Sequence, residues 1–234
     1  MKIPNYKTIQ FDQWSLILSR VSELGLILEY LPNKHQIEIF QNHEWLAKIF
    51  LPWDSFWTGN SLKKIDDFHL ALVAIKAGQA FTGYFHNGLL SDHKVFRAYM
   101  VRQKQGKSQI KHLKTKGKSR AGSRIRLAET QRFFNEINER LNLYNEQYPI
   151  TRWGFSCSKT LWPYFFDAEL PPPFSSRQDN LISLPFHYQQ ASFEELQKSY
   201  SSLTHFHLLL SDKGEEFFGE FLERNDESFE DEDW

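Results

Sequence analysis

Apolar and polar residues alternate along this chain in two rhythms. Across residues 12–24 the positions Trp14, Ile17, Leu18 and Val21 recur every three or four residues, which marks one face of a helix. Residues 26–31 then read as a strand and Pro32-Asn33-Lys34 as a turn. Residues 35–40 and 45–51 read as two further strands, with Gln41-Asn42-His43 turning the chain between them. Residues 52–64 form an aromatic-rich connection. The unbroken apolar run 70–75 predicts a buried strand over 68–76. A strand over 79–86 follows, and Asn87-Gly88 is a hairpin signal. Residues 95–101 complete this meander.

Beyond it the rhythm is helical again. A helix is expected from near Gly122 or Ser123 to about Asn145, with Ile125, Phe133, Phe134, Ile137 and Leu141 as its apolar stripe. Glu129, Arg132, Glu136 and Arg140 form its wet face. Residues 152–157 read as a strand, 160–166 as a short helix, 169–174 as an extended loop through three prolines, and 181–184 as a short strand. Ser192 caps a helix reaching Tyr200, with Glu195 as its capping-box partner, and 204–210 is the last strand. A meander followed by alternating strands and helices points to an α/β (α+β) fold, a mixed β-sheet with helices packed on it.

Composition sets the scale. The 234 residues suit one domain, or one domain with appendages, and 21 phenylalanines supply ample core material. The lone cysteine, Cys157, excludes an internal disulfide and a cysteine-based zinc site. Its setting, Trp153-Gly154-Phe155-Ser156-Cys157, reads as a buried strand, with the thiol as core filler rather than nucleophile. Pro4 and polar residues stand where a secretory signal would be apolar, and the apolar runs are far shorter than the ~20 residues of a membrane span. The expectation is a soluble, cytoplasmic protein with no membrane partner.

Charge changes the picture more. The formal net charge is −1, yet the segment RQKQGKSQIKHLKTKGKSRAGSRIR, residues 102–126, holds ten bases and no carboxylate. They are Arg102, Lys104, Lys107, Lys111, Lys114, Lys116, Lys118, Arg120, Arg124 and Arg126. Each can neutralise a phosphate, and Gly106, Gly117 and Gly122 let backbone N–H groups come close to one. Arg124 and Arg126 are expected in the first helical turn, the unfavourable end of the dipole for cations, which suggests that they answer to an anion. Gln109 carries an amide that can donate to one oxygen and accept from another, aligning a nucleophile without titrating. Ser108 is a nucleophile in principle but has no evident base beside it. His112, the imidazole of the segment, reads either as a proton shuttle or as a neighbour of the phosphates.

Other chemistry is sparse. The nine histidines show no HExxH spacing. His205 and His207 share a strand face and suit either a metal or a structural role. Asp54, Asp66 and Asp67 form no recognisable metal set, and Asp167 and Glu169 read as loop residues. No Walker loop and no GxGxxG occur. Neither a metal nor another cofactor is expected. Beyond Lys213 the chain is acidic, with Arg224 as its one base. That tail reads as a solvated end or as a mimic of nucleic acid facing the basic segment. Phe217, Phe218, Phe221 and Leu222 at helical spacing add a docked or partner-binding helix. Its partner is unknown.

Gly106-Lys107-Ser108-Gln109 within VRQKQGKSQ, followed by KTKGKS and by Arg120-Ala121-Gly122-Ser123-Arg124-Ile125-Arg126, resembles the catalytic loop of the Vms-like release factor (VLRF) family. That family is related to the catalytic domain of eukaryotic and archaeal peptide-chain release factors. Gln109 falls at the family's functional glutamine, and Gly106 and Ser108 match its flanking residues. Ala121, Gly122 and Arg126 fit the family's Ala-Gly…Leu-Arg-Arg stretch. Lys107 stands where many relatives carry glycine, and Leu127 where they carry a second arginine. The resemblance implies an RNase H-like mixed sheet whose loop enters the peptidyl transferase centre of the large ribosomal subunit and acts at the 3′ end of peptidyl-tRNA. It further implies catalysis by Gly106, Ser108 and Gln109, with the ten cations on RNA phosphates. Hydrolysis of the ester and cleavage of the tRNA near its CCA end both remain open. On this reading residues 1–67 are an N-terminal helix and β-meander extension, 68–212 a release-factor-like catalytic domain, and 213–234 an acidic tail. A non-catalytic ribosome or RNA-binding protein docking through the same loop is the alternative, and a metal-dependent RNase H-type nuclease is a third.

Overall fold

The structure is a computed structural model that describes residues 3–98, 118–186 and 188–223. In chain order its elements begin with β1 (Lys7–Ile9), α1 (Phe11–Glu23), β2 (Ile27–Leu31), β3 (Gln36–Gln41), β4 (Glu44–Phe50), β5 (Ser55–Trp57) and β6 (Leu62–Lys64). There follow β7 (His69–Lys76), β8 (Gln79–His86), β9 (Leu89–Arg97), α2 (Lys118–Gln147), β10 (Arg152–Cys157) and α3 (Trp162–Phe166). The last are β11 (Leu181–Ser183), α4 (Phe193–Leu203), β12 (Phe206–Leu210) and α5 (Asp212–Glu223). The chain divides into two compact units, one of Met1–Asp66 with Lys198–Trp234 and the other of Asp67–Gln197. Residues 198–212, expected at the end of a domain 68–212, thus fall with the N-terminal region.

Among the described residues the first unit holds a five-stranded antiparallel sheet in the order β1-β12-β4-β3-β2. Alternation fixes its register. Ile37 pairs with Ile49 and Ile39 with Ala47, so inward-facing residues of β3 and β4 meet on one face. α1 lays Trp14, Ile17 and Val21 on that face, and Trp14 stacks on Phe206 with ring centroids 5.4 Å apart. α5 adds the fully buried Phe218. It can approach because residue 214 is glycine: a Cβ there would sit 2.0 Å from the Leu46 carbonyl oxygen. The start of the acidic tail is therefore a docked helix. The aromatic-rich connection contains the hairpin β5–β6, closed by Thr58, whose backbone N–H donates to the Ser61 carbonyl at 2.9 Å.

The second unit is built on a mixed sheet in the order β11-β10-β7-β8-β9. β7, β8 and β9 form an antiparallel meander, while β10 runs parallel to both β7 and β11. Burial on both faces explains the unbroken apolar run of β7. On one face Ala71, Val73 and Ile75 meet Phe133, Phe134, Ile137, Leu141 and Tyr144 of α2, with Trp153, Phe155, Phe165 and Phe174 completing the core. Asn138, buried on α2, donates to the carbonyls of Phe165 and Leu170 at 2.9 and 2.8 Å, strapping the extended 167–174 segment to the helix. On the other face a Cβ at Gly83 would lie 2.6 Å from the Leu196 side chain, so the glycine lets α4 pack closely. Ser192 Oγ accepts the Glu195 N–H at 3.2 Å, as expected of an N-cap.

Two boundaries differ from expectation. β9 starts at Leu89, six residues before 95, because an edge strand with alternating exposed positions gives a weak apolar signal. α2 starts at Lys118 rather than near Gly122, since Lys118, Arg120 and Ala121 are good helix formers and one glycine is tolerated. Arg124 and Arg126 consequently lie beyond the first turn, so the dipole argument for an anion does not apply to them. Among the described residues no helix is long and apolar enough to cross a membrane.

Candidate functional site

The basic segment leaves the second unit's sheet at the end of β9 and returns as α2. Ten of the expected site residues lie outside the described residues: Arg102, Lys104, Gly106, Lys107, Ser108, Gln109, Lys111, His112, Lys114 and Lys116. The backbone of Lys118, Arg120, Arg124 and Arg126 belongs to α2. What the structure describes is the frame from which the segment departs.

That frame is firmly tied. Arg97, the last residue of β9, sits opposite Gln79, the first of β8. Its Nη1 donates to Gln79 Oε1 at 3.3 Å, and its Nη2 donates to the Ala191 carbonyl. Gln79 Oε1 also accepts the Ala191 N–H at 3.0 Å, so one glutamine holds both the strand end and the segment before α4. The next residue, Ala98, donates its N–H to the Gly78 carbonyl at 2.9 Å. Gly78 sits in the β7–β8 turn at φ 78°, a conformation that favours glycine. Further along β9, Asp92 accepts from Arg140 Nη2 and, at 3.3 Å, from the Tyr144 hydroxyl, which burial pushes up to about 12. The strand before the segment and the helix after it are thereby joined.

Two cavities flank this frame. One, of about 440 Å³, lies at the carboxyl ends of the parallel strands β7 and β10, the end where open α/β sheets usually receive ligands. Its wall includes Gln79, Ala191, Ser156, Ser158 and Tyr188. Cys157 is also in the wall, and burial pushes its thiol up to about 12, which makes it unfit as a nucleophile near neutrality. The other cavity, of about 360 Å³, is bounded by Arg97, Ala98, Glu129, Arg132, Phe133 and Glu136. There Arg132 Nε donates to Glu136 Oε1 at 2.7 Å. This second cavity adjoins residue 98, the last described residue before the basic segment, and the first shares Gln79 and Ala191 with the Arg97 clamp.

The model of the Bacteroidetes VLRF1 release factor family matches residues 70–211, more than half of the chain. The chain belongs to that family. Within this VLRF1 match lie β7 from its second residue, β8 to β12, the Arg97 clamp, both cavities and the whole basic segment. One similar solved structure is "Vms1 mitochondrial localization core", at 12% identity and TM-score 0.40, covering 87% of this chain and 91% of that one. No curated protein sequence matches.

The remaining candidate histidines are structural. His207 Nε2 donates to the Ser202 carbonyl and His205 Nδ1 to the Ser201 carbonyl, each at 2.6 Å. Burial holds His207 below the usual imidazole range. Asp67, set aside with Asp54 and Asp66 in the sequence, comes together with His69 and His86 at the opposite end of β7 and β8. The signal that finds this trio is the hairpin register, which pairs His69 with His86 once Gly78 is recognised as the turn.

Proposed function

We propose that this release-factor family member is a ribosome-associated hydrolase that frees nascent chains from stalled ribosomes by acting on peptidyl-tRNA. The observation that carries the reading is the family match over residues 70–211, which spans the segment Gly106-Lys107-Ser108-Gln109. The large ribosomal subunit and the CCA end of the tRNA are the partners. The cations from Arg102 to Arg126 hold RNA phosphates, and Gly106 and Ser108 shape the backbone around Gln109. His112 stands beside the phosphates or relays a proton.

Gln109 does the positioning. Its amide oxygen accepts a hydrogen bond from the attacking water or ribose hydroxyl, and its amide N–H donates to an oxygen of the reacting group. Alignment of this kind lowers the barrier by holding the reactants in a near-attack geometry, and it requires no group titrating near neutrality. Neither does it require a metal at the loop. The frame described above supports this reading, because a loop that must reach into another assembly gains accuracy from a rigid root.

The test is to incubate purified protein with stalled ribosome–peptidyl-tRNA complexes and separate the products. Freed peptide with full-length tRNA establishes ester hydrolysis. Peptide carrying a short CCA remnant establishes tRNA cleavage. Binding without either product would replace the hydrolase with the docking protein. Cleavage of isolated, ribosome-free RNA that stops on withholding Mg2+ would point to the metal-dependent nuclease, whereas the loop mechanism predicts no cleavage without the ribosome.

A further inference from the structure

Asp67 lies in the bend two residues before β7 and reaches back to His69, while His86 is the cross-strand partner of His69. The two imidazole rings stack with centroids 4.4 Å apart and an interplanar angle of 15°. Asp67 Oδ1 lies 2.7 Å from His86 Nε2 and 3.2 Å from His69 Nε2. One ligand atom from each residue therefore falls within 4.8 Å of the other two. In a tetrahedral zinc site with bonds of ~2.0–2.1 Å, ligand atoms stand about 3.3 Å apart. The two carboxylate–imidazole distances are close to that spacing already, and binding requires the partly exposed His86 ring to turn out of its stack on His69 so that both nitrogens face one ion.

The surroundings are those of a built site. His69 is buried, and its Nδ1 meets the Tyr84 hydroxyl at 2.7 Å, which orients the ring and leaves Nε2 toward Asp67. Tyr84 is itself held by a stacked Tyr148, with centroids 3.8 Å apart. Such outer contacts fix the tautomer and aim of metal-binding imidazoles. Asn87 closes the end of the hairpin. Its Oδ1 accepts the Phe68 N–H at 2.8 Å, and its N–H donates to the Phe68 carbonyl at 3.0 Å. His86 and Asp67 are accessible to solvent, which leaves an entry path and a position for water.

We propose that Asp67 Oδ1, His69 Nε2 and His86 Nε2 bind a divalent transition-metal ion of the zinc class, with water as the fourth ligand. Two imidazole nitrogens and one carboxylate oxygen suit such an ion better than the all-oxygen shells of calcium or magnesium. The site lies at the end of β8 away from Gln79, the partner of Arg97. Seven residue steps of β8 divide His86 from Gln79, roughly 24 Å at the strand rise of ~3.4 Å. Asp67 and His69 also precede the residues matched by the family model, 70–211. The ion would tie the entry of β7 to the exit of β8, and the inference stands whether or not the chain is a hydrolase.

The test uses the full chain, stripped with a chelator and titrated with zinc chloride against a chromophoric zinc indicator, alongside thermal melts. The expected result is a single zinc ion per chain with micromolar or tighter affinity, and a melting temperature raised by zinc. His86→Ala should weaken uptake more than ~100-fold, beyond the ~10–100-fold that loss of an outer contact costs, and should abolish the thermal shift. Tyr84→Phe should weaken uptake about 10-fold. Should His86→Ala fold poorly, Asp67→Asn, which keeps the side-chain shape, must show the same loss. No uptake at micromolar zinc by the wild-type chain, or equal uptake by wild type and Asp67→Asn, overturns the proposal and leaves a carboxylate hydrogen-bonded to two imidazoles.

Discussion

The two ends of the β7–β8–β9 meander treat charge in opposite ways. At the His69/His86 end a carboxylate and two imidazoles meet within the fold, and hydrogen bonds from His86 and then His69 hold the Asp67 carboxyl below its usual range. At the Gln79/Arg97 end the clamp secures the backbone, and the chain then runs into a segment with ten bases and no carboxylate of its own. The first end is complete with groups the sheet supplies, apart from an ion. The second supplies a root and two cavities, while the charge beyond them calls for an anion from elsewhere. Function is therefore sought where local sequence supplies one sign of charge, and an inorganic ligand where the register brings donors together.

The comparison can be broken from either side. The largest effect is expected from reversing three cations together, Lys114→Glu, Lys116→Glu and Lys118→Glu. Each cation on a single-stranded phosphate contributes about 0.7 to the slope of log K against log salt, so losing three should lower that slope by about 2. Affinity for ribosomes should fall on the order of 100-fold at moderate salt. Sedimentation across a salt series checks this, and an unchanged slope would mean that these lysines meet no phosphate. A smaller effect belongs to the root. Gln79→Ala removes the acceptor shared by Arg97 and the Ala191 N–H, which should cost about 1–2 kcal/mol in a denaturant melt. It should slow release while ribosome binding stays at the wild-type level.

The smallest effect concerns the other end. The folded-state pKa of Asp67 is depressed, so its contribution to stability is present above the unfolded value of 3.8 and is lost as pH falls through the folded one. In chelator, the melting temperature of the wild type should therefore fall slightly more steeply than that of Asp67→Asn as the pH is lowered below about 4. Parallel curves for the two proteins would show that the imidazoles do not hold the carboxylate.

Much of the second unit was legible in the chain. The run 70–75 marks β7, the strand expected over 79–86 is β8 with the same bounds, and the hairpin signal Asn87-Gly88 turns with φ of 46° and 93°. The stripe of Phe133, Phe134, Ile137 and Leu141 is buried as its spacing requires. Elements defined by distant pairing were harder to see. β1 is three residues long and exists because Ile9 pairs with Phe206, far along the chain. β12 follows β11 in sequence yet pairs with β4 and β1, a choice that depends on which apolar face it completes. At the functional end, the basic segment was visible because its charge is contiguous. The Arg97–Gln79–Ala191 clamp was not, since it joins a strand end to a backbone carbonyl across residues distant in sequence. The Asp67–His69–His86 trio stayed hidden for a similar reason: no local motif contains it, and only the register of β7 on β8 assembles it.

The central claim is that Gln109 positions the nucleophile on peptidyl-tRNA. Its most direct test is single-turnover release from stalled ribosome–peptidyl-tRNA complexes, with wild type and Gln109→Ala compared at equal ribosome occupancy. The account predicts that the variant binds within about twofold of wild type and releases at least ~100-fold more slowly, the scale expected when a positioning group is lost. Equal release rates at equal occupancy would contradict it, and would leave the basic segment as a docking element.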